Sequence, residues 1–118
     1  MPFDIRLKRA YDSPDSSDGK RILVERLWPR GVTKEAAALH EWMKDIAPSA
    51  DLRKWYGHEP DRWPEFQKRY ERELADNRVL VGDLRAMCAA GPVTLIFAAR
   101  DEARNSAVVL KAVLEQDT

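Results

Sequence analysis

The order of periodicities along the chain predicts an α/β layer fold: a small mixed sheet of about three strands with a parallel central pair, covered by about five helices. Three observations carry this expectation. Residues 3–7 alternate apolar and charged, the period of a strand with one buried and one wet face. Val93 to Ala99 is almost wholly apolar, as a strand covered on both sides must be, so it belongs at the centre of the sheet and parallel to a neighbour. Most of the intervening chain, and its last part, carries apolar residues at helical spacing.

In strand one Phe3, Ile5 and Leu7 alternate with Asp4, Arg6 and Lys8. Ala10 to Lys20 follows with Ser13-Pro14, several aspartates and Asp18-Gly19, and reads as a loop closing in a turn. It is too short for an ordinary helical crossover, so strand two, Arg21 to Leu27, is expected to run antiparallel to strand one. Thr33 caps a helix in which Leu39, Trp42, Met43 and Ile46 repeat until Pro48; the competing assignment is a short helix followed by an extended segment around Trp42. Ser49 caps a second, short helix with Leu52, Trp55 and Tyr56 inward, which Gly57 ends in a left-handed turn. Asp61 caps a longer one that tolerates Pro64 in its first turn and aligns Trp63, Phe66, Tyr70 and Leu74, with Glu65 and Arg69 paired on the wet side. A helix from Val79 to Ala90 turns Leu80, Leu84, Met87 and Cys88 inward before Gly91-Pro92. The final helix, Glu102 to Leu114, repeats Ala103, Ala107, Leu110 and Leu114 on one face.

No linker, repeat or composition shift divides residues 1–118, so a single domain is expected. Twenty basic and twenty acidic residues cancel, which leaves no global field toward DNA or an anionic membrane. Nucleic acid is therefore disfavoured as a partner, although Lys68, Arg69 and Arg72 would make a local basic stripe. The longest apolar runs fall far short of the roughly 20 residues that span a bilayer, and the start of the chain has no signal-peptide pattern. The one cysteine, Cys88, excludes an internal disulfide and a cysteine-based zinc site, and fits a cytoplasmic location.

The stretch Asp18-Gly19-Lys20-Arg21-Ile22-Leu23-Val24-Glu25-Arg26-Leu27-Trp28-Pro29-Arg30-Gly31 resembles the signature of the domain-of-unknown-function family 488, in its short single-domain form. Further matches follow in order: Trp42, Ala47-Pro48-Ser49, Leu52-Arg53-Lys54-Trp55-Tyr56-Gly57-His58, Phe66 with Tyr70, and Thr94-Leu95 leading to Asn105 and Ala107. Two positions depart from the family's pattern, which often has aspartate where Glu25 stands and histidine where Arg104 stands. The second departure removes a proton-transfer group from position 104. The resemblance implies a bacterial-type cytoplasmic protein of about this length and brings no activity with it, so function has to be argued from the site.

The segment Arg26 to Gly31 leaves the end of strand two, and ligands of open α/β sheets bind beyond the carboxyl ends of the strands. Arg26 and Arg30 suit a bidentate grip on phosphate or carboxylate, Trp28 can stack or exclude water, and Gly31 permits close backbone approach. If the apolar strand runs parallel to strand two, its end delivers Arg100, Asp101 and Asn105 to the same rim, together with the amides of the last helix. The expected ligand is a small anion or phosphorylated metabolite. The competing reading makes Trp28-Pro29 a packed corner with an arginine tying loops through carbonyls.

A second candidate pairs Arg53 with His58, the histidine acting as general acid or base or else only meeting the last helical carbonyls. Asp12, Asp15 and Asp18 do not have the alternate spacing of a calcium loop and read as a solvated turn, so no metal site is predicted and no cofactor is assigned. Cys88 reads as a buried, inert thiol. Whether the domain is an enzyme stays open. The alternative from another class is a non-catalytic protein-interaction adaptor, favoured if Trp28, Trp42 and Trp55 cluster on the surface and disfavoured if they lie beneath a polar cleft.

Overall fold

The computed structural model describes residues 3–116; positions 1, 2, 117 and 118 of the expected domain lie outside the described residues. Strands β1 (Ile5–Arg9), β2 (Lys20–Leu23), β3 (Glu41–Trp42) and β4 (Val93–Phe97) form one sheet in the order β1-β4-β2-β3. The helices are α1 (Lys34–Ala37), α2 (Ala50–Tyr56), α3 (Trp63–Ala75), α4 (Arg78–Ala90) and α5 (Ser106–Glu115). The α/β class, the five helices and the central place of the apolar strand stand as the sequence predicts. Every pairing is parallel, however, and β1 and β2 are not neighbours at all, because β4 lies between them with Arg6 and Arg21 both opposite Thr94.

The antiparallel expectation fails for a reason of length. A strand of five residues rises only about 17 Å, while ten extended residues reach about 33 Å. Residues 10–19 therefore carry the chain back across the sheet with one 3-10 turn, Ser16–Asp18, and no α-helix. Gly19 makes the re-entry possible: its φ is +65°, and a Cβ there would lie 2.2 Å from the carbonyl oxygen of Pro92. The aspartate loop is not wholly solvated either. Asp12 and Asp15 hold turns at the surface, but Asp18 is buried against Arg21.

Of the two assignments for residues 33–48, the short helix with an extended segment around Trp42 is the one adopted. Thr33 caps α1 as predicted, Ala38 ends it in the left-handed region, and the chain then pairs with the free edge of β2 through His40 N–H to Arg21 O and Met43 N–H to Leu23 O. Those ladder bonds replace the helical ones that the spacing of Leu39, Trp42, Met43 and Ile46 suggested. α2 is capped by Ser49 and closed by Gly57 at φ 52°, as expected. Asp61 falls in a 3-10 turn, so α3 starts one residue before Pro64 without a side-chain cap. α5 starts at Ser106 because Asp101 holds the amides of Ala103 and Arg104 in a turn, leaving Asn105 as the cap.

The two faces of the sheet are covered unequally. Ile5, Ile22, Val24, Val93, Leu95 and Phe97 pack against Leu52, Phe66, Tyr70, Leu84, Leu110 and their neighbours on the helices, where each fully buried side chain contributes about 1.5–3 kcal/mol. Cys88 is buried in this layer. On the other face the apolar cluster is small, with Ala10, Leu23 and Ile96 buried under Trp28, Val32 and Leu39. Among the described residues no helix is long and apolar enough to cross a membrane.

Candidate functional site

Parallel neighbours β2 and β4 point their carboxyl ends at one rim, and the chain leaving them opens a cavity of about 330 Å³ on the helical side. Glu25 enters it from β2, and Ala98 and Ala99 from β4. Arg53 and Tyr56 come from α2, with His58 just beyond, Phe66 from α3, and Arg104, Asn105 and Ser106 from the start of α5. The local cause is clear in α2: Leu52 and Tyr56, four residues apart, bury on one stripe, which sets Arg53 at its edge. Two successive left-handed residues, Gly57 at φ 52° and His58 at φ 59°, then fold the chain so that the imidazole lies 6.5 Å from the Tyr56 ring.

The Glu25 carboxylate is fixed by one oxygen: Ala98 N–H donates to its Oε2 at 2.8 Å. Burial pushes this carboxyl above the ordinary range, against the pull of the Ala98 amide, Arg53 and His58. Its Oε1 accepts no hydrogen bond, and the only sealed side-chain polar atom without a partner among the described residues is Nη2 of Arg21, so Oε1 opens to the cavity. The Tyr56 hydroxyl is likewise unpartnered and open. Burial, with Asp101 nearby, raises its pKa, so it stays a phenol donor. The Arg53 side chain makes no hydrogen bond or ion pair among the described residues, whereas Arg104 pairs with Asp101 at 3.3 Å at the half-exposed mouth. Asp101 is held below the ordinary carboxylate range by the amides of Ala103 and Arg104.

Of the residues singled out from the sequence, Arg53, His58 and Asn105 meet at this cavity. Both ends of the Asn105 amide are in use, Nδ2 donating to Asp101 O and Oδ1 accepting from Val108 N–H, so it shapes the start of α5. Arg26 lies outside the lining and ties loops: it donates to the carbonyls of Pro48 and Ala47 at 3.2 and 3.1 Å, with Asp45 3.8 Å away. Trp28 donates to Val32 O and meets Trp42 edge-on at 5.4 Å, the packed corner of the competing reading. Arg30 is exposed, and its carbonyl accepts from Tyr11. Gly31, at φ 80°, borders a separate depression beside Tyr11 and Glu35, and Arg100 is exposed beyond β4.

Glu25, Tyr56 and Arg104 were not predicted as site residues. A signal for two of them existed: the positions at which the chain departs from the pattern of the family it resembles, Glu25 and Arg104, both line the cavity. Tyr56 carried none, since an inward aromatic on a short helix reads as core. Among the described residues no group of histidine, cysteine, aspartate and glutamate side chains could hold a metal ion.

The description "Inactive DUF488-N3 subclade" belongs to the family whose profile matches residues 4–118. The uncharacterized protein Rv3073c of Mycobacterium tuberculosis is 43% identical over 110 residues, 93% of this chain and 92% of that one. The uncharacterized protein YeaO of Escherichia coli is 42% identical over 108 residues, 92% and 94% of the two chains. No solved structure matches the chain. With nearly the whole of its length matched by the family profile and by relatives well above 30% identity, the chain belongs to the DUF488 family.

Proposed function

We propose that this protein binds a small anionic ligand, a carboxylate or a phosphorylated metabolite, in the cavity at the carboxyl ends of β2 and β4. The observation that carries the reading is Arg53: a permanently charged, half-buried guanidinium that lines the cavity and has no partner among the described residues. Its planar fork of N–H donors is uncommitted and suited to a bidentate grip on a carboxylate or phosphate. The Tyr56 hydroxyl, His58 and the amides at the start of α5 add donors on the same side. Arg53 thus takes the anchoring role expected of Arg26 and Arg30, and His58 is an orienting donor. The word "inactive" in the family's description supports binding without turnover. A cytoplasmic setting is part of the reading, supported by the single buried thiol of Cys88.

The test is a thermal-shift and calorimetric screen against inorganic phosphate, sugar phosphates and small carboxylates. A ligand at a hundred times its dissociation constant stabilises the fold by about 2.7 kcal/mol, several degrees at this size. Arg53→Ala should keep the fold and lose the shift. If Arg53→Ala binds as the parent does, or if no anion, amino acids and aminoalkyl phosphates included, binds the parent, the reading fails.

One observation favours a second reading, a protein-interaction adaptor. Leu27 is 65% exposed, and Trp42, on the edge strand β3, is 36% exposed. Trp55 does not join them: it is covered by Arg62 and by Arg69, whose guanidinium lies 4.2 Å from the ring centre. The same engagement, with an ion pair to Glu65, takes Arg69 out of a basic stripe for nucleic acid. A bound protein released by Leu27→Glu and unaffected by Arg53→Ala would support the adaptor.

A further inference from the structure

Arg53 and Glu25 face one cavity with opposite charges, yet no ion pair within 4.0 Å joins them. Each instead presents free capacity: the Arg53 donors are uncommitted, and Glu25 keeps Oε1 open while Ala98 N–H holds Oε2 in place. A simple anion seated on Arg53 would share the cavity with the Glu25 carboxylate, and like charges in a half-enclosed site repel. A ligand that carries a positive nitrogen donor as well as an anionic group removes that conflict and engages both side chains.

We propose that the ligand of this cavity is a small zwitterion, its carboxylate or phosphate held by Arg53 and its ammonium by Oε1 of Glu25. This rests on the reading of the cavity as an anion site and narrows it to a chemical class. The size allows it: a cavity of about 330 Å³ holds an amino acid or an aminoalkyl phosphate. Glu25 and Arg53 are held by separate elements, the end of β2 and α2, so their spacing is set by the fold and selects the distance between the two charges of the ligand.

The experiment is isothermal titration of the intact protein with matched pairs that differ only in the amine: β-alanine with propionate, γ-aminobutyrate with butyrate, and phosphoethanolamine with ethyl phosphate. At least one amine-bearing member should bind about tenfold or more tightly than its partner. Glu25→Gln, whose amide oxygen still accepts from Ala98 N–H, should abolish that preference and bind the plain anion as well as or better than the parent does. Arg53→Ala should lose both members of the pair. If plain anions bind through Arg53 but the amine adds nothing, or if Glu25→Gln keeps the preference, the zwitterion proposal is overturned and the anion site survives. If no member of any pair binds the parent, or if Arg53→Ala binds both members unchanged, the anion reading falls as well. The comparison within the parent protein stands even if a variant fails to fold.

Discussion

Arg21 and Asp18 are both buried, with Nη1 and Oδ2 2.6 Å apart, and the pair is stitched into its surroundings. Arg21 Nε donates to Ala37 O, Lys8 reaches both carboxylate oxygens, and Thr94 donates to the Asp18 carbonyl. Removing one charge strands the other, so Asp18→Asn should cost about 3 kcal/mol in urea unfolding at pH 7. Burial alone would raise the Asp18 carboxyl, but the Asp15 amide, Arg21 and Lys8 outweigh it and hold it below the ordinary value. A depressed folded pKa means stability that is complete above pH about 4 and lost as pH falls through the folded value, so the difference between parent and Asp18→Asn should shrink only in strong acid. Glu25 has the opposite sign. Burial raises its folded pKa, so its ionised form costs stability once pH exceeds that of the unfolded chain. Glu25→Gln should be the more stable protein at pH 7 and equal to the parent near pH 3. An unchanged or lower urea midpoint at pH 7 would contradict this.

At the scale of elements, the crossover between β1 and β2 hinges on Gly19. Its left-handed φ and the 2.2 Å approach of a Cβ to Pro92 O leave an alanine no place without moving backbone. Gly19→Ala should lose at least about 2 kcal/mol by thermal or urea unfolding, whereas Gly82→Ala, in open space on α4, should be neutral or stabilising. Elements with their own chemistry could be read from sequence: Ser49 and Gly57 bracket α2, and the almost wholly apolar run of β4 places it between two strands. What pairs with what could not. The extended return after β1 has no periodicity to mark it as a crossover, and β3 is a strand only because β2 offers a free edge, which no local pattern in Leu39 to Ile46 encodes.

The whole molecule brings the site together from chain segments that local reading treats separately. Arg53 and His58 were legible because a helix-ending glycine sets them side by side; their meeting with Glu25 and Arg104 depends on β2 and β4 being parallel neighbours, a long-range fact. The contacts of Arg26, expected as an anchor, are long-range too, since its carbonyl partners Ala47 and Pro48 lie some twenty residues away. The unequal covering of the sheet has a dynamic consequence. Four helices and a large apolar layer guard one face, while the other has a small apolar cluster, a looped connection and the single turn of α1. Local opening follows the density of buried apolar contact, so α1 and the connection 10–19 should open well below the global unfolding free energy, with β4 and α5 opening only with the whole. In native-state hydrogen exchange the amides of Ala37 and Asp18 should exchange faster than those of Leu95 and Leu110 by at least about a hundredfold. Equal protection on the two sides would mean that the Asp18–Arg21 network makes up for the thin apolar cover and binds the sheet and its wrapping into one cooperative unit.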